Sequence, residues 1–198
     1  GQQGFRAQPR PRKGRSHEAE VTISLEDACS GATRTIAFET AETLPNGAVR
    51  RSTKNLKVKI PPGTADGSRI RLAGQGEKGA AGGAAGDLFL KVKLAQHPRF
   101  EVEGSDLRTK VPVAPWEAAL GAEVRVETLE GAVNLKVPPG SSSGKAMRLR
   151  GKGLPLKEKG KRGDLYAEIR IVMPEKLTHQ ERELYEKLMD VSAFRPRK

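Results

Sequence analysis

The strongest constraint on the fold of this 198-residue chain is an internal repeat. Pro61-Pro62-Gly63 returns as Pro138-Pro139-Gly140, Gly67 as Gly144, Arg71-Leu72 as Arg148-Leu149, Gly74 as Gly151, and Gly86-Asp87-Leu88 as Gly163-Asp164-Leu165. Each pair is offset by 77 residues (61 to 138) without a gap. Upstream, Ala28 and Gly31 match Ala118 and Gly121 at an offset of 90 (28 to 118), so the first copy carries roughly 13 extra residues around Glu39 to Thr53. One module is therefore built twice, with the division near His97-Pro98.

Within each copy the hydrophobic pattern has period two: Val21, Ile23, Leu25; Ile36, Phe38; Leu56, Val58, Ile60 with Lys57 and Lys59 between; Ile70, Leu72; Leu88, Leu90, Val92, Leu94. That is strand periodicity, one face inward and one outward. Pro-Pro-Gly ends a strand, because proline has no N–H for the ladder and glycine supplies the turn. A short strand follows (69–72 and 146–149), then a glycine-rich excursion and a last long strand. With 22 Gly, 13 Pro and only 4% aromatic residues, the expected fold class is mostly β: two tandem β-sandwich-like domains of repeated, antiparallel topology plus a C-terminal amphipathic helix.

The expected divisions are 1–16, 17–97, 98–174 and 175–198. Residues 1–16 contain Arg6, Arg10, Arg12, Lys13 and Arg15, no acid and little apolar surface, and are expected to form a disordered basic linker. After Pro174, Thr178-His179-Gln180-Glu181 has the pattern of a capping box, followed by Leu184, Leu188 and Val191 at helical spacing with Tyr185 and Met189 beside them. Such a stripe either packs on its own domain or pairs with another chain, and its width favours the second.

Catalytic and cofactor patterns fail on context. Gly74-Gln75-Gly76-Glu77-Lys78-Gly79 satisfies G-x-G-x-x-G, but a glycine-broken stretch and another strand follow where a phosphate-binding helix is needed. Gly140 to Lys145 is one residue short of a P-loop and has Ala146 where the magnesium-binding hydroxyl belongs. The same turn's Ser142 and Lys145 offer no buried site to activate the lysine. His17, His97 and His179 lack metal-spaced partners, and the single cysteine, Cys29, can form neither an internal disulfide nor a thiolate zinc site. No enzyme, metal or cofactor is expected. Nor is a membrane span or secretory leader; the setting expected from one unpaired cysteine is the cytoplasm.

Leu25-Glu26-Asp27-Ala28 with Gly31, Gly86-Asp87-Leu88, His97-Pro98-Arg99-Phe100, Asp106-Leu107, Pro115-Trp116-Glu117-Ala118-Ala119-Leu120-Gly121 and Gly151-Lys152-Gly153, in this order, resemble the C-terminal substrate-binding region of the DnaJ (J-domain) co-chaperones across residues 17–198. The zinc-binding cysteine module of class A members is absent, so the resemblance is to class B, which includes curved-DNA-binding proteins. Its only His-Pro, His97-Pro98, continues with Arg99 and is not the J-domain's His-Pro-Asp; the J-domain, the main contact with a DnaK-type chaperone, is expected outside this sequence. The resemblance implies a homodimer joined at the C-terminal helix through Leu184, Tyr185, Leu188 and Val191. It implies a client groove on the first domain lined by Val21, Ile23, Ile36, Phe38 and Leu90, flanked by Arg34 and Lys54 that could meet an acidic peptide.

The net charge of +12 keeps a second function open. A sequence-tolerant, nucleoid-associated DNA-binding protein would use Arg6, Arg10, Arg12, Lys13 and Arg15 on phosphates, since the chain has few aromatics for base stacking and no reader helix. A third reading, a pure assembly scaffold, would need only the helix and the two β domains. The leading expectation is a non-enzymatic holder of unfolded client polypeptides.

Overall fold

A computed structural model describes residues 11–43, 49–79, 81–156, 158 and 160–197. The first copy runs β1 (His17–Ile23), α1 (Leu25–Ser30), β2 (Ala32–Thr43), β3 (Val49–Ile60), β4 (Arg69–Leu72) and β5 (Leu88–Leu94). The second runs β6 (Glu101–Glu103), β7 (Asp106–Val113), α2 (Pro115–Leu120), β8 (Ala122–Thr128), β9 (Gly131–Val137), β10 (Ala146–Leu149) and β11 (Leu165–Ile171), and α3 (His179–Val191) closes the chain. The molecule is mostly β, and no helix among the described residues is long and apolar enough to cross a membrane.

Each module is a small sheet facing a separate hairpin. The first sheet has the order β1-β5-β4 with hairpin β2-β3, and the second β10-β11-β7-β6 with hairpin β8-β9. The pairing is not all antiparallel as the alternation suggested. β1 runs parallel to β5 with Ile23 opposite Leu94, and β7 parallel to β11 with Val113 opposite Ile171. A strand and its parallel partner need a long crossover, and the helix, hairpin and short strand between them provide it. The extra residues of the first copy lengthen the β2-β3 hairpin, which pairs twelve residues per strand where β8-β9 pairs seven.

Alternation places Val58, Ile60, Leu88, Leu90 and Val92 in a first core, and Leu107, Val113, Val137, Leu165 and Ile169 in a second. α1 belongs to both: Ala28 fills the first core while Leu25 and Cys29 pack into the second. Ser24 caps this one-turn helix by accepting the Asp27 N–H (3.2 Å). Polar contacts reinforce the junction. Arg162 donates from Nη2 to Cys29 Sγ (3.3 Å) and to the Gly153 carbonyl (2.9 Å). His97 Nδ1 accepts from the backbone N–H groups of Arg99 and Phe100, so its Nε2 carries the proton donated to Glu26 (3.1 Å). Gly63, at φ +78°, lies so near Pro155 that a Cβ there would sit 2.5 Å from its carbonyl oxygen.

The repeated Gly-Asp forms one hub per module. Asp87 accepts the Gly74 N–H (3.0 Å) and the Arg71 Nε (3.0 Å), and Asp164 accepts the Gly151 N–H (2.8 Å) and the Arg148 Nε (2.6 Å). These backbone donors, then the arginines, hold both carboxyls below the usual aspartate range. Residues 11–16, expected to be disordered, instead lie against the glycine-rich loop. Gly14 N–H donates to Ala84 and the Arg15 carbonyl accepts from Glu77, because glycines leave room there: a Cβ on Gly86 would meet the Arg15 oxygen at 2.1 Å.

Candidate polypeptide-binding groove

β1 is the outermost strand of the first sheet, and among the described residues no strand pairs with its outer side. Beside it, β1 and β2 flank an open, shallow groove of about 550 Å³ lined by Glu20 to Ser24, Asp27 and Arg34 to Ala37. The equivalent strand of the second module, β7, is partly covered there, since β6 pairs with Asp106 to Arg108. A corresponding cleft of about 390 Å³ opens between β7 and β8, bounded by Lys110 to Pro112, Arg125 to Glu127 and the His97–Glu101 segment.

The five residues expected to line the groove divide between core and surface. Leu90 is fully enclosed (0% exposed), and Ile23 (3%) and Val21 (9%) nearly so; these three are core side chains, a correction to their expected contact role. Alternation gives an inward face, but inward residues of an edge strand and its neighbour still face the opposing hairpin. Ile36 and Phe38 on β2 remain half-buried at the margin of the first core. Arg34 lies at the groove and donates from Nε (2.8 Å) and Nη2 (2.5 Å) to Asp27. Lys54 is exposed opposite Phe38 in the β2-β3 register.

The other expected sites lie apart. Arg6 and Arg10 are outside the described residues. Lys13 reaches Asp87 (3.9 Å) at its hub. On α3, Thr178 Oγ1 accepts the Glu181 N–H (3.2 Å) while Glu181 Oε2 accepts the Thr178 N–H (2.7 Å), and that backbone contact holds the Glu181 carboxyl low. No residue of α3 is buried: Leu184 is 65% exposed, Leu188 58% and Val191 80%. Tyr185 is half-buried, and its hydroxyl has no hydrogen-bond partner among the described residues. No group of three His, Cys, Asp or Glu side chains among those residues is placed to hold a metal.

Sequence reasoning missed the free edge of β1 and the Arg162–Cys29 and His97–Glu26 contacts, which join residues far apart in sequence. It could have found the hubs, since Arg71 with Asp87 and Arg148 with Asp164 repeat at the 77-residue offset.

Comparison with known proteins decides the family: the DnaJ C terminal domain model matches residues 17–174. The chain belongs to this family. Among curated relatives, this DnaJ-family chain is 49% identical over 197 residues to a curved DNA-binding protein of Pseudomonas syringae pv. tomato, covering 99% of the chain and 62% of the relative. It is 49% identical to that of Pseudomonas putida (98% and 62%) and 44% identical to that of Coxiella burnetii (94% and 59%). The chain thus spans about three-fifths of the length of these relatives.

Proposed function

We propose that this DnaJ-family chain holds extended segments of unfolded polypeptides in the β1-β2 groove, for delivery to a DnaK-type chaperone by a larger protein of which it forms the client-binding part. The observation that carries this reading is the unpaired edge of β1 beside the groove. A strand edge offers a row of backbone donors and acceptors to any extended chain, which gives affinity without demanding a sequence. Ile36, which lines the groove, and Phe38, two residues further along the same face of β2, supply apolar contact to alternate side chains, and Val21 to Ile23 contribute through their backbone. Arg34, on leaving Asp27, and Lys54 would meet an acidic segment. Binding of this kind needs no bond-making chemistry, so the role is non-enzymatic.

Two copies would act together, joined through the exposed stripe of α3. The name of the relatives, curved DNA-binding protein, together with the +12 charge, favours DNA binding as a second activity.

The groove is tested by the double variant Ile36→Ser, Phe38→Ser, measured for thermal melting and for suppression of aggregation of an unfolded client. Loss of holding with near-normal melting is the expected result. Loss of both would make the pair core residues, and retention of both would remove them from function.

A further inference from the structure

The two copies allow charge that the fold requires to be separated from charge that it does not. β4 and β10 are the same strand, outermost in its sheet and paired on one side only, to β5 or β11. Each returns an arginine to its aspartate hub. Around this shared frame the charges diverge. Ser68, Ala73 and Gln75 stand where the second copy has Lys145, Arg150 and Lys152, and Ala80, Gly82, Ala84 and Ala85 where it has Lys157, Lys159, Lys161 and Arg162. Seven neutral positions become cations and one acid is lost, Glu77 to Leu154, against two cations lost, Arg69 to Ala146 and Lys78 to Pro155, and one acid gained, Glu158.

The first module forms the same strand and hub with none of the seven; Arg162 is committed to the module junction through Cys29 and Gly153, but the strand and hub need none of the others, and crowded like charge is unfavourable in itself. Their neutralisation is incomplete. Arg162 (2.8 Å) and Lys152 (3.4 Å) share Glu130, and Lys161 pairs with Glu158 (2.5 Å). Lys145 and Arg150 are exposed and form no direct ion pair among the described residues, Arg150 only adding to the pull of the Gly151 N–H and Arg148 on the Asp164 carboxyl. The outer edge of β10 adds backbone N–H groups without a ladder partner among the described residues. Cations at both ends of an edge that carries N–H donors suit a partner with regularly repeated negative charge.

We infer that the edge of β10, with Lys145 at one end and Arg150 and Lys152 at the other, is the surface that contacts the phosphate backbone of duplex DNA without reading its sequence. This rests on the DNA-binding reading above and moves its main contact from the N-terminal arginines to the second module.

The test is binding of the full chain to a labelled DNA duplex across a range of salt concentrations. The variant Lys145→Ser, Arg150→Ala, Lys152→Gln installs residues the first copy already uses, so its melting should be unchanged. Losing three phosphate contacts should lower the slope of log affinity against log salt by about 2 to 3, with client holding unaffected. Arg12→Gln, Lys13→Gln, Arg15→Gln should change the slope less. If the first variant melts early, the double variant Lys145→Ser, Arg150→Ala, which leaves the Lys152–Glu130 pair in place, gives the same readout. A parent chain that does not bind DNA would remove the DNA reading and this surface with it. A parent that binds while both module variants keep its full slope would leave DNA binding standing and overturn the surface. Loss of polyglutamate binding with DNA binding intact would also overturn it, assigning the cations to acidic polypeptides.

Discussion

At the scale of single residues, identical patterning conceals opposite roles. Leu90 and Ile36 both obey the strand alternation, yet one is sealed in the core and the other half-buried at its margin. Leu90→Ala should therefore cost about 2 to 5 kcal/mol by leaving a cavity, whereas Ile36→Ser should cost clearly less; chemical denaturation of the two variants ranks them. The aspartate hubs set the acid response. Their carboxyls titrate below the ordinary range in the folded state, so the stability they contribute is complete at neutral pH. It declines only as pH falls below about 4 and through the depressed folded-state values. Asp164→Asn should accordingly be less stable than the parent at pH 7, with the difference shrinking toward pH 2 in a series of melting curves.

At the scale of elements, α3 is a helix of thirteen residues with nothing buried. Isolated helices of roughly 12 to 15 residues are marginal in water, so the stripe of Leu184, Leu188 and Val191 calls for a partner surface worth roughly 1.5 to 3 kcal/mol per side chain covered. Ending the chain after residue 174 should yield a monomer by light scattering, where the full chain should be a dimer. This helix and its capping box were legible in the sequence because both are local: spacing and a Thr-x-x-Glu suffice. The strands were legible for the same reason. Their parallel pairing was not, since β1 finds β5 across some seventy residues, and alternation says nothing about partner or direction. The groove was least legible. Period two marks Val21, Ile23 and Leu90 as inward, but only the position of the hairpin over the sheet decides which inward residues a peptide can reach. The ordering of residues 11–16 was equally hidden, because it depends on glycines more than sixty residues away that leave space for a passing backbone.

At the scale of the whole molecule, α1 contributes side chains to the cores of both modules. Leu25 and Cys29 cannot leave the second core without disturbing Ala28 in the first, and Gly63 against Pro155 leaves no slack at the junction. Calorimetry should show one main transition for the β region, with equal calorimetric and van't Hoff enthalpies. Two resolved transitions would mean that the modules melt independently. The unpaired edge of β1 carries a further consequence. An edge able to receive any extended chain is also able to receive its own kind, so a concentrated solution of this protein contains its own competitor. Mutual repulsion between molecules of charge +12 is the natural restraint on such stacking, and salt weakens it. Assemblies larger than a dimer should therefore grow with ionic strength, and an added extended peptide should dissolve them by taking the edge first.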